Sequence, residues 1–208
     1  MAYDLEEQEQ LDEFKAWWKK NGSMSINLVL AVLVAYLAWQ GYHYFQNKKS
    51  VEASALYQTM LTTDPVKVTE IKSQSANLME NYSGTPYAGR AAVYAAKTNF
   101  AANDAKSAKS QLDWAIKNAT EGAVKAIAGL QLADILFEEK KYDEASKALA
   151  AIDDKGYAGL KANMQGDVFL AQGKQAEAKK AYVTALENLD AQGRLHAYTQ
   201  QKLESLGV

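Results

Sequence analysis

The sequence predicts an all-α chain: a single N-terminal transmembrane helix followed by a helical solenoid of paired, antiparallel helices. Three observations predict it. A stretch from Met24 to Phe45 carries no formal charge. Alanine, leucine, lysine, glutamate and glutamine dominate the remainder of the chain, and Pro65 and Pro86 are the only prolines. These residues lose little rotamer freedom in a helix, whereas proline breaks one. Finally, two stretches repeat with a fixed 33-residue offset.

The membrane segment comes first. About 20 residues at 1.5 Å rise cross a ~30 Å hydrocarbon core, and a helix satisfies every backbone amide that lipid leaves without water. Trp17 and Trp18 precede the segment and Trp39, Tyr42, Tyr44 and Phe45 close it. Lys19 and Lys20, then Lys48 and Lys49, bracket the aromatics, which is the layout of interfacial anchors. A cleaved signal peptide needs a basic start and small residues at the cut. Here Asp4, Glu6, Glu7, Glu9, Asp12 and Glu13 make the start acidic, so the helix reads as an uncleaved anchor. The chain divides into a tail at 1–23, the span at 24–45 and a repeat domain at 46–208. Lys15, Lys19 and Lys20 against Lys48 and Lys49 is too small a bias to fix orientation. The tail, with Leu5, Leu11, Phe14 and Trp18, fits either a surface helix or a mobile acidic segment. No Gly or Pro interrupts residues 42–61, so the anchor either runs on into the first soluble helix or breaks before it.

In the repeat domain, Ala133, Leu136, Ala145, Leu149 and Ile152 lie 33 residues before Gly166, Phe169, Ala178, Tyr182 and Ala185. Small residues let two helices approach closely, and large ones fill the space beside them. This resembles the tetratricopeptide repeat, a helix–turn–helix unit of about 34 residues. A weaker copy, Ala96, Ala108, Leu112 and Ala115, precedes the next by 37 residues, with an extra loop near 118–122. Its large residue, Phe100, falls one place out of register. Residues 50–84 form another helix pair, with turns at Thr62–Pro65 and Ser83–Pro86, but match poorly. The usual tryptophan is replaced by Gly129 and Ala162, and each closing proline is missing. Leu195–Leu206 reads as an amphipathic cap.

No catalytic constellation emerges, and the chain is not read as an enzyme or as needing a cofactor. Without cysteine there is no thiol nucleophile, disulfide or thiolate metal site. His43 and His196 lack partners at ligand spacing, which leaves no metal site. Glu138-Glu139 and Asp153-Asp154 diverge on a helix and read as solvated positions. A net charge of −2 and a nearly neutral repeat domain give no basic field for nucleic acid. Solenoids of this kind bind polypeptides on the surface made by the first helix of each pair. The repeat register places Arg90, Val93, Tyr94, Lys97, Gln131, Asp134, Asn163, Met164 and Asp167 there. Their mixed polar, aromatic and thioether character suits weak, adaptable contacts.

The whole-chain layout is more specific. It joins Lys15-Ala16-Trp17-Trp18-Lys19-Lys20-Asn21-Gly22, Ala38-Trp39-Gln40-Gly41-Tyr42 and Ala53-Ser54-Ala55-Leu56-Tyr57 to degenerate repeats. This resembles the YfgM family, ancillary subunits of the bacterial SecYEG translocon. The resemblance implies a single-pass inner-membrane protein with a cytoplasmic N-terminus and a periplasmic repeat domain. It also implies association with the SecYEG translocon and with a membrane-anchored periplasmic chaperone of the PpiD type. Newly translocated polypeptides would be the clients and membrane lipid the surroundings. Two rival roles stay open: a regulator whose cytoplasmic tail binds a stress-signalling response regulator, or a membrane scaffold that binds no client.

Overall fold

The computed structural model describes residues 2–207, and among these every regular element is helical. Helix α1 runs unbroken through Ala2–Thr62. The tail is therefore one helix with the apolar segment, and no break follows that segment. The chain divides into two compact units, Met1–Lys48 and Lys49–Val208. In the first, Leu28 and Val34 are each 64% exposed, so no protein core accounts for the apolar composition. The helix is long and apolar enough to cross a membrane. Its aromatics cluster at both ends: Phe14 stacks on Trp18 at 6.1 Å, and Trp39 meets the edge of His43 at 4.5 Å.

The second unit begins with the end of α1 and continues as α2 (Val68–Asn81), α3 (Pro86–Ala101), α4 (Ala105–Asn118) and α5 (Gly122–Glu138). Then come α6 (Tyr142–Ala150), a 3-10 turn (Lys155–Tyr157), α7 (Ala158–Ala171), α8 (Gln175–Asn188) and α9 (Arg194–Ser205). Three pairs, α3/α4, α5/α6 and α7/α8, share one turn. Asn103, Lys140 and Gly173 have φ of 64°, 60° and 75°, the left-handed residue that ends a helix. The next amide in each turn, of Asp104, Lys141 or Lys174, donates back to the carbonyl of Asn99, Leu136 or Phe169 at 2.8–2.9 Å. The three turn residues obey the same 37- and 33-residue steps as the core. Gly207, with φ of 76°, stands 34 residues after Gly173, so α9 is the first helix of a further repeat.

Core packing follows the same register. Ala108, Leu112 and Ala115 of α4 pack with Ala92 and Ala96 of α3. Ala145, Leu149 and Ile152 pack with Ala133 and Leu136 of α5. Ala178 and Tyr182 of α8 pack with Phe169 of α7 and Leu203 of α9. The pair α7/α8 exchanges volume between its members. A Cβ on Gly166 would fall within the ring of Tyr182, whereas the equivalent Ala133 faces the smaller Leu149.

Two expectations change. Residues 50–84 do carry the pattern: Ile71, Ser75 and Leu78 of α2 lie 37 before Ala108, Leu112 and Ala115, and all three are buried. The polar Ser75 in the large-residue place hides that match in the sequence. The register residue of α3 is Asn99, not Phe100. Asn99 is 1% exposed, and its Nδ2 donates to Gln111 Oε1 at 2.8 Å. A buried amide pair thus stands where the other copies use an apolar contact.

Candidate first-helix binding groove

Five of the nine register-derived residues line one groove. Arg90, Val93, Tyr94 and Lys97 come from successive turns of α3, and Gln131 from α5. Tyr57 of α1 closes one side, and Val124 and Ile127 of α5 form the floor, enclosing about 270 Å³. Tyr94 and Lys97 also border an adjoining hollow of about 580 Å³ beside Val66 and Val68, so the two share a wall. These side chains meet because residues three and four apart share a helix face. A larger cavity, about 700 Å³, opens on the second-helix side between α4 and α6. There α6 has 9 residues where α4 and α8 have 14, and Ile116 and Leu132 are left partly uncovered.

Charge in the groove is one-sided. Arg90 holds Glu121 in a two-point pair, with Nε and Nη2 at 2.8 and 2.6 Å from its carboxylate oxygens. That bonding draws the Glu121 carboxyl below its ordinary value. Arg90 also lies 5.9 Å from the Tyr87 ring, which packs 5.8 Å from Tyr57. Burial raises the Tyr57 hydroxyl, so that side chain stays a neutral donor. Lys97 is exposed, and among the described residues it has no ion-pair partner.

The remaining four candidates lie elsewhere. Asp134 is exposed one repeat on, and burial of its surroundings, with Glu138 and Asp167 nearby, raises its carboxyl. Met164 packs against the core cluster around Leu149 and Val168. Asn163 and Asp167 face α9 rather than an open groove. Thr199 Oγ1 lies 2.9 Å from Asn163 Oδ1, and Lys202 Nζ lies 2.6 and 2.8 Å from the Asp167 carboxylate. Tyr182 donates to the same carboxylate at 2.7 Å, which raises its hydroxyl after the larger effect of burial. The cap thus spends the polar groups of the last pair internally.

Sequence reasoning missed Tyr57, Val124 and Ile127. Ile127 was findable, because it lies 37 residues after Arg90 in the same register. Tyr57 lies 37 residues before Tyr94 in that register too, but the long α1 hides the fact that it ends as the first helix of a pair. His43 sits in the aromatic end of the apolar segment and His196 half-buried in α9.

Comparison with known proteins completes the picture. A family profile described as a tetratricopeptide repeat-like domain matches residues 15–208. The chain belongs to this family. Three proteins similar to this chain each bear the name ancillary SecYEG translocon subunit. One, from Neisseria gonorrhoeae, is 33% identical over 99% of this chain and 100% of its own length. A second, from Aggregatibacter actinomycetemcomitans, is 29% identical over 92% and 94%. A third, from Escherichia coli, is 25% identical over 97% of both. The whole-chain resemblance drawn from the sequence is borne out. The tetratricopeptide repeat-like match begins at residue 15, so it takes in the apolar part of α1 as well as the helix pairs.

Proposed function

We propose that the protein is an ancillary subunit of a Sec translocon that links translocation to periplasmic chaperones through its repeat domain. The names of its relatives support the translocon association, and the first-helix groove supports protein binding. In this reading residues 24–45 span the bacterial inner membrane, the tail is cytoplasmic, and the repeat domain is periplasmic. The partners are the SecYEG channel, a membrane-anchored chaperone of the PpiD type, and newly translocated chains. Membrane lipid surrounds the span, and nucleic acid has no part. Nothing in the groove suggests bond chemistry; its work is to hold a chain by several weak contacts.

The observation that carries this reading is the groove on α3 and α5, with aromatic walls, an apolar floor and Lys97 unpaired. The test places a photocrosslinker at Tyr94 or Gln131 in the full-length protein during secretion. Labelling of translocon, chaperone or nascent chain is expected. A folded, membrane-integrated protein that labels none of them ends the proposal.

A second reading has its own observation. Leu11, Phe14, Trp17 and Trp18 on the tail helix are 46–59% exposed. That face fits the regulator role, in which the tail binds a response regulator. Deleting residues 1–20 separates the two: client binding survives, and tail-borne regulation disappears.

A further inference from the structure

The groove is rich in hydrogen-bond donors and poor in acceptors. Among the described residues, the hydroxyls of Tyr57 and Tyr94, the Lys97 ammonium and the Gln131 amide have no hydrogen-bond partner within the protein. The one carboxylate at its edge, Glu121, is already bound by Arg90. The remaining side-chain acceptors on this surface are Gln131 Oε1 and the hydroxyl oxygens of Tyr57 and Tyr94, and the N–H and O–H groups of Tyr57, Tyr94, Lys97 and Gln131 outnumber them. The other lining residues, Val93, Val124 and Ile127, offer no polar side-chain atoms.

A ligand that matches such a surface presents carbonyls and few N–H groups. A helical segment fails this test, because its carbonyls are bonded internally and would leave the groove's donors unpaired. A strand brings as many N–H donors as carbonyls. A polyproline-type segment has solvated carbonyls and no internal bonds, and each proline removes one donor. Its rings also lie flat on aromatic side chains, as in other proline-recognising grooves. Tyr57 and Tyr94 supply those walls, and the unpaired Lys97 favours an acidic neighbour.

We infer that the first-helix groove selects extended, proline-containing segments with a flanking carboxylate, the prolines against Tyr57 and Tyr94 and the carboxylate on Lys97. The inference rests on the reading of this groove as a polypeptide site and narrows it to one class of chain.

The test uses the full-length protein in lipid nanodiscs and labelled peptides of about ten residues, ~31 Å long in this conformation. One is rich in proline and contains aspartate; its twin has alanine at every proline. A reduced, unfolded secretory protein is the third ligand. The proline peptide is expected to bind about ten-fold tighter than its twin, because each alanine adds an N–H group that the acceptor-poor groove leaves unpaired and loosens the extended conformation. Tyr57→Phe and Tyr94→Phe, which keep ring and shape, should each weaken it by about three- to ten-fold. Lys97→Glu should invert the preference from acidic to basic peptides. If the twin binds equally, or the phenylalanine variants bind unchanged, the proline inference fails while chain binding stands. If neither peptide nor unfolded chain binds the folded protein, the underlying reading fails with it.

Discussion

At the scale of single residues, the repeat is held by paired choices. Gly166 exists because Tyr182 occupies the space a Cβ would need. Gly166→Ala should therefore cost about 1–3 kcal/mol by overpacking. Adding Tyr182→Leu, which recreates the Ala133–Leu149 combination, should recover part of that loss even though the bond to Asp167 goes. Chemical denaturation of both variants checks the coupling. Asn99 and Gln111 are a second such pair, and Asn99 Oδ1 is buried without a partner. Asn99→Leu alone would strand the Gln111 amide, whereas Asn99→Leu with Gln111→Ala restores the apolar register. The double variant should be more stable than the single by about 1–3 kcal/mol, the cost of an unsatisfied buried polar group. Asp134 supplies a pH signature. Its folded-state carboxyl is raised by burial, then by Glu138 and Asp167, so ionisation opposes folding at neutral pH. Asp134→Asn should gain less than about 1 kcal/mol there, since the carboxyl is only partly covered and solvent screens its charge. The gain should vanish as pH falls and the native carboxyl becomes protonated, a trend that melts at several pH values would expose.

At the scale of elements, one shared turn inside each pair sets where the first helix ends and the second begins. A left-handed residue stops the first helix, and its backbone bonds point the chain into the second. That device uses Asn103, Lys140 and Gly173 in turn. Lysine has no special tolerance for this conformation, and a Cβ there costs about 1–2 kcal/mol. Lys140→Gly should therefore stabilise the protein by about 0.5–1 kcal/mol, less than the full strain because glycine also frees the unfolded chain. Gly173→Ala should destabilise it by about 1 kcal/mol for the converse reason. Opposite results in equilibrium unfolding would show that the turns are held by their neighbours and not by local conformation. The terminal helix obeys a different logic. The 34-residue step from Gly173 to Gly207 aligns Gln200 with the small residues Ala133 and Gly166. That longer polar side chain donates to Glu204 at 2.9 Å, which suits a solvated outer face better than close helix packing.

At the scale of the whole molecule, the legible part of the sequence was whatever the 33-residue offset touches. Leu149 and Tyr182 announce their role by type and spacing, as do the uncharged residues from Met24 to Phe45. The α2 layer and Asn99 were hidden because polar residues, Ser75 and Asn99, fill places where the pattern expects large apolar ones. The groove was half legible: Arg90, Tyr94, Lys97 and Gln131 followed from register, but Asn163 and Asp167 were assigned to open surface because spacing alone could not show α9 lying on them. The same stacking logic yields a last prediction. Every buried cluster from Ala53 to Leu203 is built from residues of the second unit. In a solenoid each repeat is stabilised by its immediate neighbours. A fragment of residues 49–208 should then fold without residues 1–48, giving a helical spectrum and a cooperative melt in water. Removing residues 190–208 from it should do more harm than the loss of one helix suggests. Asn163 and Asp167 would lose Thr199 and Lys202, and Phe169 and Tyr182 would lose Leu203. A fragment that melts unchanged after that deletion would mean α9 is an ornament on the stack and not its cap.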